Sequence, residues 1–187
     1  MFIIGAFSAS GQVMVNPKIG VNASNFDTQI RDIRAEARIG WNAGVDFRIG
    51  KGMFSFIPGL HYYSFTTSTV PNVGTGTNFD VRQETTIQNV KLPINFGLRL
   101  TGQGGLMSIW LKGGGVANMF AGIREGSTPT PLLEEDFSKV NFAANAGIGM
   151  DILVFTIEAT YEMGLTPFFE TGNEKNNMLV VSAGIRF

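Results

Sequence analysis

The sequence has 187 residues, the length of one domain, and it is rich in glycine and poor in charge. Glycine accounts for 24 residues, about 13% against the usual ~7%, while charged residues make up 16% and the net charge is -1. With 11% aromatic residues and no cysteine, this composition excludes a disordered chain, a disulfide scaffold, a thiolate metal site and a nucleic-acid-binding surface.

The chain opens with an apolar run of small residues, 2–10. The last two residues of this run, Ala9 and Ser10, are followed by Gly11. Together they resemble the small residues before a signal-peptidase cleavage site. We therefore predict a signal peptide over residues 1–11, without the usual basic start, and a single mature domain over 12–187. The alternative is an apolar first strand. No later stretch reaches the ~18 uninterrupted apolar residues of a membrane helix.

Eight runs further along the chain alternate apolar residues with polar residues or glycine. In the clearest run, Ile39, Trp41 and the other odd positions are apolar, while the even positions hold charged residues, asparagine or glycine. A period of two is typical of β-strands with one apolar face. The predicted strands are 14–25, 36–50, 53–67, 84–101, 105–121, 139–152, 154–165 and 177–187.

The connections between these strands alternate between short and long. The long ones, rich in threonine, asparagine, glycine, proline and charge, are 26–35, 68–83, 122–138 and 166–176. This predicts an eight-stranded antiparallel up-and-down transmembrane β-barrel with short periplasmic turns, longer extracellular loops and both termini in the periplasm. The alternative, a soluble barrel of the lipocalin kind, would turn the apolar faces inward. Strand length and the confinement of charge to the glycine- and asparagine-rich face favour the membrane.

The lumen face of this barrel is predicted to carry six basic and four acidic side chains: Arg38, Asp46, Arg48, Lys91, Arg99, Lys112, Asp151, Glu158, Glu162 and Arg186. An eight-stranded barrel is just wide enough for side chains to fill, so we expect a plug of paired charges rather than an open pore. Near the periplasmic end, we expect Asp151 to be the acidic partner of Arg48, Arg99 and Arg186.

The last strand places an apolar residue at every second position and finishes with an aromatic one. These residues are Leu179, Val181, Ala183, Ile185 and Phe187. We expect them to be the signal that the barrel-assembly machinery reads by β-augmentation, the alternative being an ordinary last strand.

Several aromatic residues lie near the strand ends that face the long connections. They are expected to form an outer aromatic girdle: Trp41, Tyr62, Tyr63, Tyr161, Phe168 and Phe169. The alternation instead turns Trp110 inward.

Segments of the chain resemble the PorT-like family of outer-membrane β-barrel proteins from Bacteroidetes. The matching pieces are 18–26, 44–47 with 56–63, 90–94, 147–151, 161–165 and 184–187. The resemblance implies an outer-membrane barrel, and one branch of the family takes part in type IX protein secretion. It therefore also implies a place in an envelope assembly.

Little in the sequence points to catalysis or to a cofactor. His61 is the only histidine, which rules out a histidine cluster for a metal, and Gly113–Gly115 lacks the lysine of a phosphate loop. We expect a non-enzymatic, structural or accessory outer-membrane protein without a cofactor. Its expected partners are outer-membrane lipid, the barrel-assembly machinery and other envelope proteins. A small-solute channel, or an enzyme that uses His61 beside a serine and a carboxylate to modify lipid, are the alternatives.

Overall fold

The computed structural model describes residues 13–26, 38–50, 52–69, 83–101, 106–125, 140–166 and 175–187. These residues form one closed sheet in which each strand pairs with the next and the last pairs with the first, all antiparallel. The strands are β1 (Val13–Phe26), β2 (Arg38–Ile49), β3 (Phe54–Thr69), β4 (Gln83–Arg99), β5 (Met107–Glu125), β6 (Val140–Ile152), β7 (Phe155–Gly164) and β8 (Asn176–Ile185). The predicted eight-stranded antiparallel barrel is confirmed. None of the described residues forms a helix long and apolar enough to cross a membrane.

The strands next to the long connections run further than the alternation predicts. β3 continues to Thr69 and β5 to Glu125, into segments predicted as loops, and Thr66 and Thr67 pair with the threonines at 86 and 85 of β4. Threonine is β-branched and favours extended backbone. The residues of these extensions do not alternate between apolar and polar. The period of two therefore does not predict that they are strand.

The two faces of the wall are opposite in character. Large apolar side chains such as Ile19, Ile39 and Phe96 are exposed on the outside, whereas Asn22 and Asn95 are buried inside. A soluble barrel would have the reverse arrangement, because its apolar faces would form the core. An apolar exterior around a polar interior is the arrangement of a barrel that lies in lipid.

The interior is crowded, and glycine supplies the space in it. Several of the larger lumen side chains lie directly across from a glycine on a neighbouring strand, as His61 does with Gly44 and Trp110 does with Gly149. The same holds for Lys18, Asp46, Lys112 and Glu158. A side chain at such a glycine would overlap its neighbour, so these glycines are required for the lumen to be filled.

Replacing Gly149 by alanine should destabilise the barrel by about 1–3 kcal/mol, because the new methyl group would overlap the Trp110 indole. Gly113→Ala is the matched control, since a methyl group there would lie 3.6 Å from its nearest neighbour, the Asn145 carbonyl oxygen. Urea unfolding in detergent micelles measures both variants. Equal stability of the two would contradict this account of the lumen.

Candidate functional site

The charged side chains of the lumen lie in three layers along the barrel axis. We call the end of the barrel with the short connections, after β2, β4 and β6, the turn end, and the opposite end the loop end. The layers are named turn-end, central and upper in that order. Some of their ion pairs join neighbouring strands, as Lys18 does with Asp46, whereas Lys18–Glu158, Arg48–Asp151 and Lys91–Glu162 join strands that only the closed barrel brings together.

Asp151 is the centre of the turn-end layer. It is 1% exposed, and its carboxylate accepts hydrogen bonds from Arg48 Nη1 at 2.7 Å, Arg186 Nη1 at 3.0 Å, Trp110 Nε1 at 3.1 Å and Thr156 Oγ1 at 2.9 Å. The Arg48 guanidinium also stacks over the Trp110 ring, 4.2 Å from its centroid. Both carboxylate oxygens therefore have partners, and two arginines share one negative charge.

The expectation that Arg99 shares this carboxylate is wrong. It pairs across the sheet with Trp110, which places it on the lumen face at the same end. Among the described residues, however, it forms no ion pair. The Asp151 carboxylate already accepts hydrogen bonds from other side chains. Arg99 therefore has no ion-pair partner among the described residues.

The central layer joins two lysines to two carboxylates. Lys18 Nζ contacts Asp46 Oδ2 and lies 2.8 Å from Glu158 Oε1, which also accepts from Lys112 Nζ at 2.5 Å. His61 Nε2 lies 2.7 Å from Asp46 Oδ1 and donates to it, since an ionised carboxylate only accepts. All five side chains are buried, so each charge depends on its partners rather than on water.

Lys18 belongs to this layer but is missing from the predicted lumen set. The signal that identifies it is the alternation of β1, in which Asn16, Lys18 and Asn22 are buried while Ile19 and Val21 are exposed. Applied to the first strand as to the others, the period of two would have placed Lys18 inside.

The upper layer contains one ion pair held by uncharged groups. Lys91 Nζ lies 2.6 Å from Glu162 Oε1, which also accepts from Asn118 Nδ2 at 3.3 Å. Asn118 donates in turn to Asn141 Oδ1 at 2.9 Å, and the Lys91 ammonium lies 4.3 Å from the centre of the Tyr63 ring. Tyr63 is buried here, so its expected place in the outer girdle is wrong.

Two of the other predicted girdle residues are exposed, and two lie outside the described residues. Trp41 and Tyr161 are exposed on the outer wall, and the Trp41 and Tyr62 rings lie 5.5 Å apart. Trp110 is buried in the lumen. Residues 1–11, the Arg38 side chain, Phe168 and Phe169 lie outside the described part of the structure.

Positive charge is not evenly spread among the layers. In the central and upper layers three lysines meet three carboxylates: Lys18, Lys91, Lys112, Asp46, Glu158 and Glu162. At the turn end Arg48, Arg99 and Arg186 face the single carboxylate of Asp151 among the described side chains. The excess positive charge of the described lumen therefore lies at the turn end.

Between the central and upper layers is a cavity of about 20 Å³, lined by Lys18, His61, Lys91, Lys112 and Glu158 among others. This volume holds about one water molecule. Nothing in the described ranges groups three potential metal-ligating side chains, and His61 contacts no serine hydroxyl there. The described lumen is thus a filled, charge-paired interior.

The predicted assembly residues of β8 line its outer face. Leu179, Val181, Ala183 and Ile185 are exposed. Beyond the end of β8, the Phe187 N–H donates to the Val15 carbonyl at 2.9 Å, and the Val15 N–H donates to the Phe187 carbonyl at 3.0 Å. The backbone of Phe187 thus completes the seam between the first and last strands.

No protein-family model and no curated protein sequence matches the chain. Its fold does match solved structures. Ail, the attachment invasion locus protein of Yersinia pestis, gives a TM-score of 0.55 at 15% identity, covering 94% of this chain and 99% of Ail. Neisserial surface protein A gives 0.57 at 11% identity, covering 94% and 97%. OprG, an outer membrane protein of Pseudomonas aeruginosa, gives 0.57 at 9% identity, covering 94% and 95%. The chain therefore has the fold of small outer-membrane barrels.

Replacing Asp151 by alanine should destabilise the barrel by about 3–5 kcal/mol, because the buried Arg48 charge and the partly exposed Arg186 charge would both lose their carboxylate. Asp151→Asn should retain most of this loss, since it keeps the shape and removes the charge. Heat-modifiable gel migration and urea unfolding in micelles measure it. Lys175→Gln, which removes an exposed charge at the loop end, is the control. Unchanged migration of Asp151→Ala would contradict the prediction.

Proposed function

We propose that this chain is an integral protein of the bacterial outer membrane that acts, without catalysis, as a structural or accessory subunit of an envelope protein assembly such as a secretion machine. In this proposal the turn end and both termini face the periplasm, and the long connections face outward, as in other outer-membrane barrels. The surfaces that engage partners are then the two ends of the barrel and its outer wall.

The observation that carries this proposal is the filled lumen. The buried lysines and carboxylates of the central and upper layers are equal in number and all form ion pairs, and the cavity between the layers has room for about one water molecule. Among the described residues, a lumen occupied in this way leaves little room for a solute, which supports a role that does not depend on transport. We therefore expect the protein to act through its surfaces rather than through its interior.

A role in a secretion or other envelope machine is supported by the family resemblance instead. The segments that resemble the PorT-like family include 90–94 and 184–187, and one branch of that family takes part in type IX secretion. The solved structures that match the fold are under 25% identical and support the fold alone.

The alternative functions are less well supported by the lumen geometry. A small-solute channel needs a continuous polar path, whereas Lys18 and Lys112 both contact Glu158 across the central layer. A lipid-modifying enzyme needs a serine beside His61 at the membrane boundary. The described partner of His61 is instead Asp46, in the middle of the lumen.

The proposal is tested by isolating a tagged copy from native membranes after mild crosslinking. We expect a complex of defined mass with companion proteins in fixed ratio, because a protein with a filled lumen acts through its surfaces. The same protein refolded alone in detergent is the control for self-association. Migration only as a single barrel from native membranes would contradict the proposal.

Planar bilayers supply the second measurement in this test. The wild-type barrel is expected to give no conductance steps. A double variant that removes the Lys112 and Glu158 side chains, which pair at 2.5 Å, serves as the control that an opened lumen is detectable. Conductance of the wild type equal to that of the double variant would favour the channel.

We also propose that Phe187 is read by the barrel-assembly machinery. Phe187→Ala should lower the folded fraction in cells severalfold, because the recognition element loses its aromatic ring. The matched control is Phe54→Ala, since Phe54 is also an exposed phenylalanine at the turn end, 68% exposed against 74% for Phe187. Heat-modifiable migration of membrane extracts measures the folded fraction.

Spontaneous refolding from urea into detergent separates recognition from stability. Both variants should refold equally well, because the hydrogen bonds between Phe187 and Val15 involve only the backbone. If Phe187→Ala and Phe54→Ala assemble equally in cells, the residue is an ordinary part of the last strand.

A further inference from the structure

The turn end of the barrel carries positive charge that the described lumen side chains do not neutralise. Arg48 and Arg186 share Asp151, and Arg99 forms no ion pair among the described residues. The Arg186 side chain is 25% exposed, although the carboxylate it binds is 1% exposed. Its guanidinium donates through Nη1 to Asp151 at 3.0 Å and through Nη2 to the Leu153 carbonyl at 2.5 Å, and part of it remains exposed at the turn end.

Exposed apolar side chains surround this mouth. We call them the apolar rim: Met53, Leu100, Leu106, Leu153 and Val154. They lie in or beside the short connections, where turns that face water usually carry polar residues. Because they lie beside the charged mouth, they form a surface on which the apolar side chains of a partner can rest.

Backbone hydrogen bonds hold the apolar rim in place. The Leu153 N–H donates to the Leu106 carbonyl at 2.9 Å, and the Val154 and Met53 carbonyls accept from the N–H groups of Arg186 and Arg99, both at 2.7 Å. These hydrogen bonds join the apolar rim and the two arginines into one surface.

Leu153 is an unusual residue for its position. Its φ is 54°, in the left-handed region that asparagine and glycine adopt with less strain. A leucine here is strained and, in a water-facing turn, also exposed. Contact of its side chain with an apolar partner would offset both costs.

We propose that the turn end docks a segment of a partner protein that carries a carboxylate among apolar side chains. The carboxylate lies against Arg99 and Arg186, and the apolar side chains contact the apolar rim. This rests on the proposed role as an accessory subunit and adds which end of the barrel, and which chemistry, engages the partner.

The position of the arginines favours a protein segment over lipid headgroups. Lipid surrounds the outer wall, whereas Arg99 shares the lumen face with the buried Trp110, and Arg186 ends on the buried Asp151. A ligand reaches them only along the barrel axis, from the aqueous side of the turn end. A peptide segment can follow that direction while its apolar side chains rest on the rim.

The probe is a fluorescein-labelled amphipathic peptide of leucine and glutamate, with a control peptide in which glutamine replaces each glutamate. The barrel is presented in phosphatidylcholine nanodiscs, and anisotropy reports binding. We expect the glutamate peptide to bind about tenfold more tightly than the glutamine peptide, because charge-assisted hydrogen bonds to arginine are strong. Raising the salt concentration should reduce this difference.

Two variants separate charge from apolar contact. Arg99→Gln should remove most of the preference for glutamate and leave the fold intact, since Arg99 has no described ion pair. Leu153→Asn should weaken both peptides equally while raising the unfolding midpoint, because asparagine suits the left-handed turn. Lys175→Gln is the matched control, an exposed positive charge at the opposite end.

Equal binding of the two peptides, or equal effects of Arg99→Gln and Lys175→Gln, would overturn the proposal. A second arm replaces the peptide by phosphatidylglycerol in the nanodisc. If that lipid stabilises the wild type but not Arg99→Gln, and the peptides bind alike, the turn end is a headgroup site instead.

The crosslinked complex from native membranes distinguishes this inference from the proposed function. A wild-type complex that survives unchanged in Arg99→Gln and Leu153→Asn would overturn docking at the turn end and leave the accessory role standing. The absence of any complex with the wild type would overturn the role itself.

Discussion

The width of the lumen is the constraint on which the rest of this structure depends. Eight strands enclose a space that side chains just fill, so several of the large groups inside require a glycine across from them. Gly44 and Gly149 make that space for His61 and Trp110. The excess of glycine in the composition is therefore a property of the barrel interior rather than of flexible segments.

A lumen of this width also determines how charge is handled. In the central layer a buried lysine is tolerated because Lys18 reaches two carboxylates, Asp46 and Glu158, in a place that water barely enters. At the turn end the three arginines meet only one carboxylate among the described side chains, and the excess charge reaches the solvent. The same barrel thus has a neutral, closed interior and a positively charged mouth.

Much of this fold is predictable from the sequence, and much of the site is not. Lipid outside and polar groups inside impose a period of two, so the orientations of Trp110 and Glu158 follow from alternation alone. The ends of β3 and β5 do not, because their residues, such as 66–69, do not alternate between apolar and polar. The pairing of Lys18 with Glu158 depends on barrel closure, which joins residues 140 positions apart. No local pattern contains that information.

The same long-range pairing has a consequence for how the barrel forms. Lys18 lies on β1 and Glu158 on β7, next to the seam that Val15 and Phe187 complete. A sheet that has entered the bilayer before closing would lack the Lys18–Glu158 contact and would expose its charged face to hydrocarbon, which is energetically costly. Partly closed intermediates are therefore unfavourable within the membrane. Insertion and closure should be a single cooperative event, slow because its decisive contacts span nearly the whole chain.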